Sequence, residues 1–276
     1  MAKLSVSHIS FLELQEIVDL LGKVSGYDLS GYSKSSLKRR VQRVLDLERM
    51  DLVDLKNAIT NIESFRTYLM NEVTVNVTEM FRDPKYYATL RAEVVPYLAT
   101  YPNLKLWSAG CSTGEEVYSL AIMLKEVGLY DRSFIYGTDI NGNVLETAKK
   151  AIYPLKKFKL YSENYNASDA QESLSNYYTA MYEATIINNE IRKNILFSQH
   201  NLATDYIFNE FQFISCRNVL IYFDVDLQNK VFQLFYDSLS EFGFLCLGSK
   251  ETLLNREIMS NFKVINKEFN IYQKIK

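Results

Sequence analysis

Beyond about residue 100 the chain alternates short apolar runs with longer stretches of helical spacing, and this rhythm limits the fold more than any other feature. Strands that alternate with helices build an α/β fold around a mostly parallel sheet. The short runs predict strands at residues 104–107, 134–136, 195–197, 211–214 and 244–247. Helices are expected over residues 115–127, 141–150 and 226–241. Residues 152–194, rich in Lys and Tyr, interrupt the alternation and read as an insertion, partly helical and ending in a small antiparallel hairpin.

Ahead of this region apolar residues recur at helical spacing: Phe11, Leu14, Ile17 and Val18, then Leu37, Val41, Val44 and Leu45, then Leu55, Ile59 and Ile62. A helical domain of three to five helices is expected over residues 1–75, followed by a larger domain over 76–276. The length of 276 residues suits one large and one small domain, and 47% hydrophobic with 23% charged residues excludes disordered and fibrous classes.

Thirty-one Lys and Arg against 33 Asp and Glu give a net charge of -2, which does not suit a nucleic-acid binder. Cations are concentrated locally, at Lys34, Lys38, Arg39, Arg40 and Arg43, with no acid among residues 29–45. Such a run is either a solvated helix face or a docking surface for an acidic partner. Cys111, Cys216 and Cys246 lack CxxC spacing and only His8 and His200 offer imidazole, so neither a disulfide framework nor a metal site is expected. The amino terminus lacks a signal-peptide pattern, and no apolar run approaches the roughly 20 residues of a membrane span. A cytoplasmic protein without direct membrane insertion is expected.

Open parallel sheets bind ligands at the carboxyl ends of their strands. The first strand is followed by Ser108-Ala109-Gly110-Cys111-Ser112-Thr113-Gly114-Glu115-Glu116. Small residues at Ala109, Gly110 and Gly114 allow close approach to the backbone, while two carboxylates in place of a phosphate-loop lysine favour a cationic ligand over an anionic one. Asp139 ends the second strand, 29 residues after Gly110, where it either accepts hydrogen bonds from ribose hydroxyls or caps the next helix. Asn201 and Leu202 follow the third strand, and Arg217 and Asn218 the fourth. Tyr222, four residues past Asn218, either enters the same cleft or packs in the core. Thr74, Asn76 and Thr78 alternate with apolar residues in an extended segment that reaches Arg82 before the Asp83-Pro84 turn.

In order, Asn76-Val77-Thr78-Glu79-Met80-Phe81-Arg82, Trp107 through Ser119, Thr138-Asp139-Ile140, Asn201-Leu202 and Cys216 through Phe223 resemble the CheR family of chemotaxis receptor methyltransferases. The resemblance extends over nearly the whole chain, including Lys38-Arg39-Arg40-Val41-Gln42-Arg43. It departs at Met80, where the family usually has Phe, and at Val117, where Pro is common. It implies a small helical domain, then a Rossmann-like methyltransferase domain with an inserted antiparallel β-subdomain. The implied activity is transfer of a methyl group from S-adenosylmethionine, leaving S-adenosylhomocysteine, to glutamates on the cytoplasmic helices of chemoreceptors, by a monomeric enzyme.

The same resemblance places Asn76, Thr78, Arg82, Glu116, Asp139, Asn201, Leu202, Arg217 and Asn218 around the cofactor, beside the notch already read at Ala109 and Gly110. It likens a hairpin within residues 182–200 to the β-subdomain, which in some members grips a tethering peptide. Arg82 and Tyr222 are the candidates to orient the substrate carboxylate, with Arg82 equally able to hold the carboxylate of the cofactor. Lys38, Arg39, Arg40 and Arg43 are the candidates to dock the acidic receptor helices. A glutamate, with a reference pKa of about 4.3, needs no general base at neutral pH, so no catalytic His is required. The competing functions are a nucleic-acid methyltransferase, for which the chain lacks both an Asn-Pro-Pro-Tyr-like motif and a Pro-Cys nucleophile, a non-catalytic cofactor-binding adaptor, and a related enzyme acting on another protein.

Overall fold

The computed structural model describes residues 8–74, 76–253 and 255–275. Four amphipathic helices come first: α1 (Phe11–Ser25), α2 (Lys34–Glu48), α3 (Leu52–Asn61) and α4 (Glu63–Val73). Ser10 and Glu13 close a reciprocal capping box on α1, Gly26 ends that helix at φ 76°, and Asp51 caps α3 through the amides of Val53 and Asp54. The apolar stripe turns inward, where Leu14, Ile17, Leu37, Val44, Leu55 and Ile59 share one core. Two stripe positions escape it. Phe11, in the first turn of α1, is exposed beneath the Lys38 ammonium, 4.6 Å from its ring centroid. Ile62 is exposed because it is the extended residue, φ -123°, that separates α3 from α4.

Helices α5 (Pro84–Thr89) and α6 (Val95–Leu98) lead into the sheet. Its strands are β1 (Leu104–Ala109), β2 (Ser133–Asp139), β6 (Ile195–Gln199), β7 (Phe211–Cys216), β8 (Leu239–Leu247), β9 (Phe262–Asn266) and β10 (Ile271–Lys274), in the order β6-β2-β1-β7-β8-β10-β9. The first five are mutually parallel, and β10 runs antiparallel between β8 and β9. Strand order reverses between β1 and β7, the position at which a doubly wound Rossmann-like sheet opens its crevice. Helices α7 (Glu115–Glu126), α8 (Gly142–Lys150) and α11 (Val225–Ser238) cover the two faces. Leu104 and Leu106 of β1 pack with α7 residues such as Val117 and Leu120, whereas Trp107 and Ala109 join the α11 core at Phe232 and Phe235.

All five expected strands are present. The two carboxyl-terminal ones, β9 and β10, were not expected, because their short segments in Asn-Lys-Glu-rich sequence carry little apolar signal. A second sheet of three antiparallel strands comes from β3 (Ile152–Pro154), β4 (Tyr178–Met181) and β5 (Ala184–Ile187), with α9 (Phe158–Asn166) and α10 (Asn189–Arg192) alongside. The hairpin expected within residues 182–200 is therefore displaced. It pairs Tyr178–Met181 with Ala184–Ile187, residues 189–192 are helical, and Ile195–Gln199 instead extends the large sheet by pairing with β2. A short helix, α12 (Arg256–Met259), precedes β9, and no described helix is long and apolar enough to cross a membrane.

Candidate active site

A cleft of about 1030 Å³, counted out to open solvent, lies at the carboxyl ends of β1, β2, β6 and β7. The loop after β1 is bent to make room. Gly110, Ser112 and Gly114 all have positive φ (73°, 51° and 91°), and the amides of Gly110 and Cys111 both donate to the Thr138 carbonyl at 2.8 Å. A Cβ on Gly110 would come 2.4 Å from a methyl of Val219, so this position needs glycine for both space and conformation.

Asp139 lies beneath that loop. Its carboxylate accepts the amides of Ser112 and Asn141, each at 2.9 Å, and burial raises its pKa above the ordinary carboxylate value against the pull of these donors. Helix α8 is capped by Asn141, which accepts the Asn143 amide, so Asp139 is not that helix's cap. Asn141 also donates to Asn71 at 2.7 Å, tying this strand end to α4.

The two glutamates after Gly114 separate. Glu115 is fully buried away from the cleft, accepting from Thr113 Oγ1 (2.6 Å) and Tyr161 (3.2 Å) with Lys157 3.5 Å away, and burial raises its pKa. The expectation of two carboxylates facing the ligand is corrected by helical geometry, since adjacent positions on α7 point about 100° apart. Glu116 does line the cleft, and Glu79 and Asp139 complete its acids.

Arg217 holds this wall together. Its side chain is 3% exposed, paired with Asp83 (2.6 Å) and Glu116 (3.3 Å), and stacked 4.0 Å over the Tyr86 ring. Arg82 differs. Its guanidinium makes one hydrogen bond among the described residues, to the Val77 carbonyl at 3.4 Å, which leaves most of the fork available. Phe81 and Asp83 on either side both take positive φ (52° and 58°), a conformation costly for such residues and held here by the Arg217–Asp83 pair and by the Phe81 amide on Ser119.

Of the residues singled out by sequence, Gly110, Glu116 and Asp139 line the cleft from the first two strand ends. Asn201, Leu202, Arg217, Asn218 and Tyr222 line it from β6 and β7, and Asn76, Thr78 and Arg82 from the segment after α4. Ala109 does not, because the two-residue period of β1 turns its side chain into the α11 core while Ser108, facing α7, donates to Glu116 at 3.1 Å. The basic residues of α2 do not line the cleft either, and they do not share one surface. Arg39 and Arg43 are exposed one turn apart, whereas Lys38 covers Phe11 and Arg40 donates to the Glu72 carbonyl at the end of α4.

Sequence reasoning missed three residues here. Glu251, just past β8, is buried and accepts the amides of Asn218, Val219, Leu220 and Gly248 at 2.6–2.8 Å, fixing the loop that carries Asn218 and Tyr222. The strand-end rule applied to the fifth strand would have found it. His200, lining the cleft between Trp107 and Phe208, stands beside the noted Asn201. Tyr32, from the turn between α1 and α2, carries no sequence signal at all.

The donor set fits a sulfonium nucleoside that also bears an amino acid. Glu79 and Glu116 suit its positive charges, Asp139 suits ribose hydroxyls, Arg82 is a fork for a carboxylate of either cofactor or substrate, and the bare backbone at Gly110 leaves space that a Cβ would fill. Comparison with known proteins agrees. Residues 12–74 match the family model for the CheR methyltransferase all-alpha domain, and residues 76–269 that for the CheR methyltransferase SAM binding domain. A putative methyltransferase Cher3 of Pseudomonas putida is 41% identical over 95% of this chain and 97% of its own. A chemotaxis protein methyltransferase of Listeria innocua is 34% identical over 83% of this chain and 86% of its own, and one of Borreliella burgdorferi 28% over 87% and 88%. The chain belongs to the CheR methyltransferases, with S-adenosylmethionine as its cofactor.

Proposed function

We propose that this chain methylates glutamate side chains on the cytoplasmic signalling helices of chemoreceptors, forming glutamyl methyl esters. The names of the Listeria and Borreliella relatives support a chemotaxis role, and the availability of Arg82 supports a carboxylate substrate. Of the two arginines in the cleft, Arg217 is already paired through both terminal nitrogens with Asp83 and Glu116, so Arg82 is the cation left to receive a carboxylate in two parallel hydrogen bonds.

When bound, S-adenosylmethionine supplies an activated methyl group that a carboxylate attacks directly. The protein's own task is positional. Asp139, Asn201 and Asn218 hold the nucleoside end, Glu116 holds charge on the sheet side, and Arg82 with Tyr222 fixes the incoming carboxylate in line. Tyr222 is suited to this because its hydroxyl makes no hydrogen bond among the described residues and its backbone is anchored, its carbonyl accepting the Ser33 amide at 2.7 Å. Asn76 and Thr78, on the segment between α4 and Arg82, help exclude water from a weak nucleophile, and such positioning and desolvation together account for several kcal/mol of barrier.

Incubation with radiolabelled S-adenosylmethionine and a chemoreceptor cytoplasmic fragment tests this. Label should enter the fragment and leave it as volatile methanol in mild base. Label that resists base, or that enters only proteins other than the receptor, would refute the glutamyl ester assignment.

A further inference from the structure

Among the described residues, Tyr32 is packed against both the α1–α4 core and the α11 core of the sheet domain. Its position is fixed by backbone on both sides. Tyr32 bridges Phe223 as a short antiparallel pair, the Ser33 amide donates to Tyr222, and the Asp224 amide donates to Gly31 at 2.9 Å. Its ring meets the Phe223 ring edge-on at 4.9 Å between centroids. A Cβ on the neighbouring Gly31 would fall 2.7 Å from Leu227 of α11, so the turn sits directly on the helix.

Packing alone does not call for a tyrosine here. The residue is half-buried, and its hydroxyl makes no hydrogen bond among the described residues, which leaves its polar end free for a ligand in the cleft. The residue lines the same cleft as Asp139, and burial, with the charges of Asp139 and Asp28 adding to it, raises the pKa of its phenol. A protonated phenol on the wall of the cleft is a donor for a ligand held there by the acid assigned to the ribose. The Asp139 oxygens each accept one amide and keep lone pairs for a second donor.

We propose that Tyr32 is a cofactor-contacting residue supplied by the amino-terminal helices, its hydroxyl completing the hydrogen-bonding of the nucleoside held at Asp139. The cofactor site is then shared between the two halves of the chain, and closing the Tyr32–Phe223 contact and filling the site are coupled. This inference rests on the assignment of Asp139 to the nucleoside.

The test is calorimetric affinity for S-adenosylhomocysteine, which needs no turnover, in the full chain and in Tyr32→Phe, Asp139→Asn and the double variant. Tyr32→Phe keeps the ring and its contact with Phe223, and should bind about five- to tenfold more weakly, as for loss of one hydrogen bond. Because both groups meet the same part of the ligand, the loss in the double variant should fall short of the product of the single losses. Wild-type affinity in Tyr32→Phe overturns the proposal, whatever its thermal stability. Multiplicative losses also overturn it, because they place Tyr32 away from the group that Asp139 holds and reduce its effect to packing. Wild-type affinity in Asp139→Asn is a different failure, of the cofactor-site assignment itself.

Discussion

Arg217 Nη2 lies 2.6 Å from Asp83 Oδ2, joining the end of β7 to the turn that presents Arg82. With Glu116 on its other nitrogen and the Tyr86 ring beneath it, Arg217 acts as a brace for the cleft wall. A buried charge in this position is costly to leave alone and stabilising only while all its partners are present.

Arg217→Met should accordingly destabilise the fold by at most about 3–5 kcal/mol, the range for leaving a buried charge unpaired, because the carboxylates left behind at Asp83 and Glu116 are 43% and 16% exposed. Asp83→Asn should cost about 1 kcal/mol or less, because Asp83 is 43% exposed and its charge is screened. Urea unfolding compares the two. Equal midpoints for Arg217→Met and wild type would show that the brace contributes nothing.

Arg82→Lys and Tyr222→Phe should lower methyl transfer while leaving cofactor binding nearly intact. Lysine keeps the charge of Arg82 but not its planar fork, so loss of about 2 kcal/mol of transition-state stabilisation is expected. Single-turnover methylation measured beside S-adenosylhomocysteine affinity separates the roles. A loss of affinity as large as the loss of turnover would assign Arg82 to the cofactor's carboxylate, and undiminished turnover in Tyr222→Phe would remove that hydroxyl from the site.

Charge reversal at Arg39 and Arg43 should raise the Michaelis constant for the receptor fragment and flatten its dependence on salt, with cofactor affinity unchanged. Reversal at Arg40 should instead weaken the α2–α4 contact and appear in thermal unfolding, since Arg40 donates to the Glu72 carbonyl. Receptor methylation at low salt that ignores both exposed substitutions would identify them as a solvated face.

Glu115 yields a pH prediction. Burial raises its folded pKa above the unfolded value of about 4.3, so between the two values the folded chain binds more protons and its stability falls as pH rises. Glu115→Gln removes this penalty. Urea unfolding at about pH 5 and about pH 7.5 should show the variant gaining on wild type at the higher pH, upward from that unfolded value. Wild type gaining on the variant would mean that Lys157 and Tyr161 stabilise the ionised form more than burial opposes it.

The order of strands and helices after residue 100 was legible from the chain alone because apolar periodicity is local. A strand has a period of two and a helix 3.6 wherever it sits, and the strand-end rule then located Gly110, Asp139, Asn201 and Arg217 before any coordinates. Helical spacing likewise defined the core of α1 to α3, failing only at Phe11 and Ile62, where a helix begins or ends. Tertiary structure decided which of the neighbours in sequence share a surface. It sent Glu115 into the interior and Glu116 to the cleft, turned Ala109 to the core, and divided the basic run of α2 between packing and solvent. It also paired Arg217 with Asp83, seated Glu251 under four amides, and brought Tyr32 to the cleft that Asp139 lines. Apart from the local Gly248 amide on Glu251, these contacts join residues from about 30 to more than 130 positions apart, and a hydrogen bond or ion pair at that separation leaves no periodic trace in the sequence, because its geometry exists only once the chain has packed.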